Sequence, residues 1–417
     1  MKKSFCFALL LCSFSANALT LDAAIEAAVQ NNAELRATQF TSVSAKHSAD
    51  AQKSGYYPRA DAGYAYKNSS EKAFGNIEEQ FSQIGLELTY NLFNGGADKY
   101  SYLSASKKYE AEQYAESALK NDIILSVKKA YIEILKAKEN IAVAERAVAL
   151  LENQLKDINL SFSVGFVARN EVLKVESELA SARQGLLTAN SGYKTAIFSL
   201  EQITGINIPV NEPFETTDLN KNAGDYSALK DEMFNNRSEI KYMQSLVEAA
   251  DYSRKAVRAG YLPKVNVGAG FYSYGQNLSP EGRDYTYDNE TVVSASVGIN
   301  LFDGFYKNRT LSAKQAEKTA IGWQLTDMKS KMDLQLKTAL ENLALAKSSL
   351  ETAEKEVASA AENYRITQNR FLQKVATNTE VLDARVMLTR AESNRNTAKY
   401  NIYKAVAEIE RIAEKGD

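Results

Sequence analysis

A chain of 417 residues with 50 Lys and Arg against 52 Asp and Glu carries a net charge of −2, too even a balance to hold nucleic acid by charge. It has one histidine, and its two cysteines, Cys6 and Cys12, lie near the N-terminus, so neither a disulfide framework nor a thiolate metal site is available beyond them. With no Gly-rich phosphate loop either, no cofactor is expected and enzymatic chemistry has no residues to carry it.

Residues 1–18 read as a secretory signal: Lys2 and Lys3, an apolar run over 5–14, then Ala16-Asn17-Ala18 as a cleavage site. The run is too short to span a bilayer as a helix. Leu11 stands where a lipid-attachment site places a small residue, so acylation of Cys12 is not expected. No later run of apolar residues is long enough for a membrane-spanning helix. Barrel strands stay open, because their alternation leaves mean hydropathy low.

The chain from Leu19 onward is written twice. Gly55-Tyr56-Tyr57-Pro58 matches Gly260-Tyr261-Leu262-Pro263 at an offset of 205, and "YNLFNGG" at 90–96 matches "INLFDGF" at 299–305 at an offset of 209. The extra residues fall around 275–290, as expected of an exposed hairpin tip. The predicted organisation is a first repeat over 19–204, a linker over 205–224 carrying Pro209 and Pro213, and a second repeat over 225–417.

Within each repeat a helix leads into a predicted β-hairpin, 58–93 and 263–302. Ile84, Leu86, Leu88, Tyr90 and Leu92 alternate with Gln83, Gly85, Glu87, Thr89 and Asn91, while Val293, Ala295, Val297, Ile299 and Leu301 alternate with Ser294, Ser296, Gly298 and Asn300. Such runs are long enough to cross a bilayer at a barrel tilt. Tyr56, Tyr57, Tyr90, Phe93, Tyr261 and Phe302 gather at the strand ends nearest the helices, where an aromatic girdle belongs. A soluble sheet packed on a helix alternates in the same way. Here, however, the long helices spend their apolar seams on each other.

Those helices are predicted over 96–163 and 307–371, each roughly 100 Å long at 1.5 Å per residue. Leu336, Leu343, Leu350, Val357, Tyr364 and Phe371 recur every seventh residue, with Ala339, Ala346, Ala353 and Ala360 in a companion position. The first repeat carries the same seam in Val127, Ile134, Ile141, Val148, Leu155 and Phe162, with Ala130, Ala137 and Ala144 beside it. A sustained period of seven means helices packed in coiled-coil fashion. Tips at 164–170 and 372–378 lead into return helices. None of the five prolines interrupts a predicted helix.

Four strands do not close a membrane barrel, and an open edge in lipid leaves backbone groups unpaired. Other copies must complete it, two giving eight strands and three giving twelve.

With the "GY-P" strand openings, both "NLF-G" corners and the tip "FSVGFVARNEVLKVESELASA" in view, the chain resembles the TolC family of outer-membrane efflux and secretion ducts over essentially its whole mature length. The resemblance implies a mixed α and β membrane protein. It would be a homotrimer, with a twelve-stranded β-barrel in outer-membrane lipid continued by a long antiparallel coiled-coil α-barrel in the periplasm. It implies a passive exit duct for a tripartite efflux pump or type I secretion system, opened by an inner-membrane transporter and a periplasmic adaptor. By the same resemblance, Glu380 and Asp383 would ring the periplasmic aperture, where like charges raise one another's pKa and favour cations. Glu171 and Lys399 would form a gate latch. The adaptor would dock on Gly165, Phe166, Val167 and Ala168 of one tip and Lys374, Val375 and Ala376 of the other. Lys374 departs from the glycine the family places at this turn, so the turn is either built differently or strained. The alternative function is a periplasmic coiled-coil adaptor or scaffold. Ordinary solvated helix charge is the plain reading of all four titratable candidates.

Overall fold

A computed structural model describes residues 18–69, 80–215, 224–283 and 287–414. Most of the signal segment, the tip of the first hairpin and part of the linker lie outside the described residues. The elements in chain order are α1 (Leu21–Asn31), α2 (Ala33–Ala51), β1 (Arg59–Asn68), β2 (Gln80–Asn94), α3 (Ala97–Ser163), α4 (Arg169–Thr204), α5 (Tyr226–Asn236), α6 (Ser238–Ala259), β3 (Lys264–Gly275), β4 (Asn289–Gly298), α7 (Tyr306–Leu372) and α8 (Asn378–Ala413). Two compact units emerge, and each draws on both halves of the sequence.

The first unit takes Thr38–Ser117 and Ser238–Lys329 and holds an antiparallel sheet of order β1-β2-β3-β4. Its register sorts side chains into rows. Ala60, Leu88, Ala269 and Val293 lie side by side, and so do Ala62, Leu86, Phe271 and Thr291. The intervening rows are Arg59, Thr89, Gly268 and Ser294, then Asp61, Glu87, Gly270 and Val292. One face is thus apolar and the other mostly polar or small, the pattern of a strand between lipid and a wet lumen. Within the unit the apolar face is uncovered: Leu86 is 59% exposed, Val293 81% and Val297 74%.

In one respect the strands differ from expectation. The alternation predicted through 302 stops pairing at Gly298, because its partner Lys264 is the first residue of β3 and follows Pro263, which has no N–H to give. β2 runs on to Asn94 through a bulge between Asn91 and Phe93.

The second unit takes the described parts of residues 1–37, 118–237 and 330–417. Ile123, Val127, Tyr131, Ile134, Leu135, Ile197 and Leu200 of α3 and α4 form its core with Leu21, Ala24 and Ala28 of α1. The seam changes along the helices. Val127, Ile134, Leu336 and Leu343 are buried at the heptad positions. Further along, the companion line takes over with Leu151, Ile158, Ala353 and Thr367. Phe162, expected on the seam, is 40% exposed instead. A straight α-helix drifts about 20° per heptad against a strict seven-residue repeat, so the buried stripe migrates to a neighbouring column.

Candidate functional site

Both tips are built from the same turn. Gly165 ends the first long helix at φ 76°; its N–H donates to Phe162 O over 3.0 Å and that of Phe166 to Ser161 O over 2.9 Å. At the second tip Lys374 has φ 62°, and the N–H groups of Lys374 and Val375 donate to Phe371 O and Arg370 O, each over 2.9 Å. Of the two alternatives, the turn is strained rather than rebuilt: a left-handed L-residue costs about 1–2 kcal/mol. The side chain returns part of that. Its ammonium lies 3.9 Å from the centroid of the Phe166 ring, a cation–π contact joining one tip to the other. Lys374→Gly is therefore expected to be nearly neutral for tip stability, while Lys374→Ala, which keeps the strain and loses the contact, costs about 1 kcal/mol. Hydrogen exchange at the Val375 amide measures both.

The helices that leave the tips start differently, and the difference explains where the charges go. At α8 the Thr377 hydroxyl accepts from the Glu380 N–H at 3.3 Å while the Glu380 carboxylate accepts from the Thr377 N–H at 3.1 Å, a full capping box. The Thr377 hydroxyl also donates to that carboxylate at 3.0 Å, and the two bonds from Thr377, with Arg370 Nη1 at 3.8 Å adding to them, hold the Glu380 carboxyl below the usual glutamate range. Within one protomer, then, Glu380 does not show the upward shift expected of facing carboxylates. The sign is that of a depressed acid: the cap is intact above the ordinary glutamate pKa and is lost as pH falls through the lowered native value. Asp383, one turn on, is exposed.

At α4 the equivalent N-cap is Ala168, which has no side chain to cap with. Glu171, at the position Glu380 occupies in the second repeat, turns elsewhere. It accepts from Lys174 Nζ at 2.9 Å and from Asn378 Nδ2 at 3.4 Å. Asn378 is 4% exposed, and its Oδ1 accepts from Nε2 of the equally buried Gln154 at 2.7 Å. Lys174 also donates to Thr379 Oγ1 at 3.2 Å. These bonds tie α3, α4 and α8 together over a cluster of Leu151, Ile158, Val172, Val175, Leu179 and Leu382, against which Phe371 and Val167 pack.

Lys399 is not part of this site. It donates to Glu139 Oε1 at 2.7 Å, and the same oxygen accepts from the Tyr400 hydroxyl at 2.8 Å. The pair is one rung of a ladder between α3 and α8 that includes Lys128–Glu410, Glu133–Lys404 and Arg146–Glu392. Lys399 lies about 30 Å along α8 from Asn378 at 1.5 Å per residue. A latch between Glu171 and Lys399 is therefore not formed within the protomer.

Sequence reasoning missed Gln154, Asn378 and Arg385. The last is 4% exposed, and its Nη1 has no hydrogen-bond partner among the described residues. Burial lowers its pKa, against the pull of Glu178. The signal that was available is Thr377-Asn378-Thr379-Glu380, a T-x-x-E capping signature that already assigns Glu380 a structural duty.

A family model described as outer membrane efflux protein matches residues 24–206 and again 229–413, once per repeat. The chain is 24% identical over 401 residues to outer membrane protein TolC of Vibrio cholerae, covering 92% of this chain and 89% of that one. It is 24% identical over 354 residues to TolC of Escherichia coli, covering 82% of this chain and 70% of that one. In three dimensions it resembles the crystal structure of a membrane protein from Pseudomonas aeruginosa, with a TM-score of 0.83 and 18% identity over 94% of this chain and 93% of the other.

Proposed function

This chain belongs to the outer membrane efflux protein family, and from that premise we infer that it works as a homotrimer whose helical tips gate a periplasmic entrance. As a member of that family it is an outer-membrane efflux channel and not an enzyme, with its helical barrel in the periplasm.

The observation that calls for other copies is the sheet, and the family likeness supports three as their number. Four strands with one uncovered apolar face and open outer edges at β1 and β4 need strands from other copies to close in lipid, and with three copies they make a twelve-stranded barrel. The energy comes from an inner-membrane transporter, and a periplasmic adaptor bridges to the tips. Phe166 and Val375 fit that docking role, at 67% and 65% exposed, on the turns set by Gly165 and Lys374 and flanked by Val167, Ala168 and Ala376. Chemical crosslinking of the intact protein should give a three-chain product, and the protein should fractionate with the outer membrane and require detergent for its release. A water-soluble monomer would overturn this arrangement.

In the trimer Glu380 and Asp383 would present two rings of carboxylates at the entrance, favouring cations. Because Glu380 also caps α8, alanine confuses charge with folding, whereas glutamine keeps a capping acceptor. Glu380→Gln with Asp383→Asn is expected to weaken divalent-cation block in planar bilayers by about tenfold, or about 1.4 kcal/mol, with the helix start intact. Unchanged block and ion selectivity would remove both residues from the gate.

A further inference from the structure

In the sheet-bearing unit a cleft of about 670 Å³ opens where the helices meet the strand ends, a volume in the range of small-molecule sites. Arg254, Lys255 and Arg258 of α6 line it together with Tyr100, Tyr261 and Leu262. Gly95, which also lines it, directly follows β2, and Leu262 stands two residues before β3.

The charge here is lopsided. Asp251 is the shared acceptor for Arg254 at 3.0 Å, Lys255 at 2.8 Å and Lys318 at 2.9 Å, so one carboxylate faces three cations before Arg258 is counted. Arg258 is exposed, and helix capping does not explain it. The carbonyls of Val257, Arg258 and Ala259 already accept from the N–H groups of Gly260, Tyr261 and Leu262 at 3.0–3.1 Å. A cation in the last turn is worth most where such carbonyls are unmet. The walls are aromatic as well as basic. Tyr100 stacks on Tyr252 at 6.5 Å, and Lys255 lies 4.9 Å over the Tyr252 ring.

An excess of cations, tyrosine rings and the exposed Leu262 side chain in one cleft is a match for a phosphate carrying a hydrocarbon tail. The position selects the source. The apolar row Phe93, Val265 and Val297 begins a few residues from Gly95 and Leu262, so an acyl chain leaving a phosphate in the cleft would meet a face already suited to lipid. A soluble phosphate gains nothing from that face. The geometry points to a binding site for the headgroup of an anionic phospholipid in the periplasmic leaflet, with Arg258 and Lys255 as the phosphate ligands and Tyr261 and Leu262 flanking the glycerol and first methylenes. Bound there, the lipid would fix the height of the corner against the membrane.

The test is native mass spectrometry of the full-length protein in mild detergent, with phosphatidylglycerol and phosphatidylethanolamine added in equal amounts. Wild type should retain phosphatidylglycerol preferentially. Arg258→Ala should cut that retention about fivefold, on the scale of one basic side chain at a lipid surface. Arg258→Lys should restore most of it, and Lys46→Ala, on an exposed position of α2, should leave it unchanged. Equal retention of the two lipids by wild type, or no loss in Arg258→Ala, overturns the site. Displacement of the lipid by an equal concentration of sn-glycerol 3-phosphate overturns the lipid assignment in favour of a soluble anion.

Discussion

Gly95→Ala is expected to abolish accumulation of the folded channel in the outer membrane, whereas Gly304→Ala, the same substitution in the second copy of the corner, should reduce it only slightly. Both glycines are left-handed, at φ 71° and φ 67°, so each alanine bears about 1 kcal/mol or somewhat more of backbone strain. Their surroundings separate them. A Cβ on Gly95 would stand 2.3 Å from Ala259 O and 2.8 Å from Leu262 Cβ, while nothing lies within 4 Å of the Gly304 position. A backbone carbonyl at the end of α6 cannot rotate aside as a side chain can. The corner must open, and the first residues of β3 move with it. Together, strain and overpacking put the expected loss at about 4 kcal/mol or more, against about 1 kcal/mol at Gly304. Membrane fractionation with a thermal melt in detergent reads both. Equal melting of the two variants would mean that the close approach to Ala259 has no energetic weight.

The corner also shows how far the sequence could be read. That it recurs was visible in the letters, because a strand ending in Asn-Leu-Phe followed by Gly leaves a local trace. That the first copy is crowded and the second open depends on α6 lying beside Gly95, a tertiary fact without a sequence period. The same division runs through the tips. The turn around Gly165 was legible from its glycine, yet the equivalent turn at Lys374 is held by hydrogen bonds that accept any residue willing to bear the strain, and its partner Phe166 belongs to the other repeat. The acidic spacing of Glu380 and Asp383 was legible too. The duty that Thr377 imposes on Glu380 was overlooked, although T-x-x-E spells it out. Asn378 and Gln154 could not have been paired from the sequence, since neither periodicity nor charge marks two buried amides that satisfy each other across helices. The heptads told which faces pack, but not that the stripe would migrate by a column before reaching Leu151 and Ile158.

Removing the side chain of Tyr131 should destabilise the helical unit by about 3–5 kcal/mol, the range for a large buried aromatic reduced to alanine. Tyr131 is fully buried, with its ring edge-on to Phe214 at 5.6 Å. Its hydroxyl lies 2.8 Å from Leu19 O and 2.9 Å from Glu215 O, one proton shared between two carbonyls. Leu19 in turn donates to Pro213 O at 2.8 Å and pairs with Phe214 as a parallel bridge. The phenol is thus the peg on which the start of the described chain and the segment after α4 both hang. Tyr131→Phe separates that role from packing: the ring remains, the carbonyls lose their donor, and the loss should be about 1–3 kcal/mol. Burial pushes the hydroxyl pKa up to about 12. Its protonated form is therefore favoured by the native state, so its contribution is complete below pH 10 and drains away as pH rises toward 12. The stability gap between wild type and Tyr131→Phe, followed by thermal melts in detergent, should accordingly stay flat up to about pH 10 and narrow above it. A gap that persisted undiminished to pH 12 would show that the hydroxyl is not what holds Leu19 and Glu215 together.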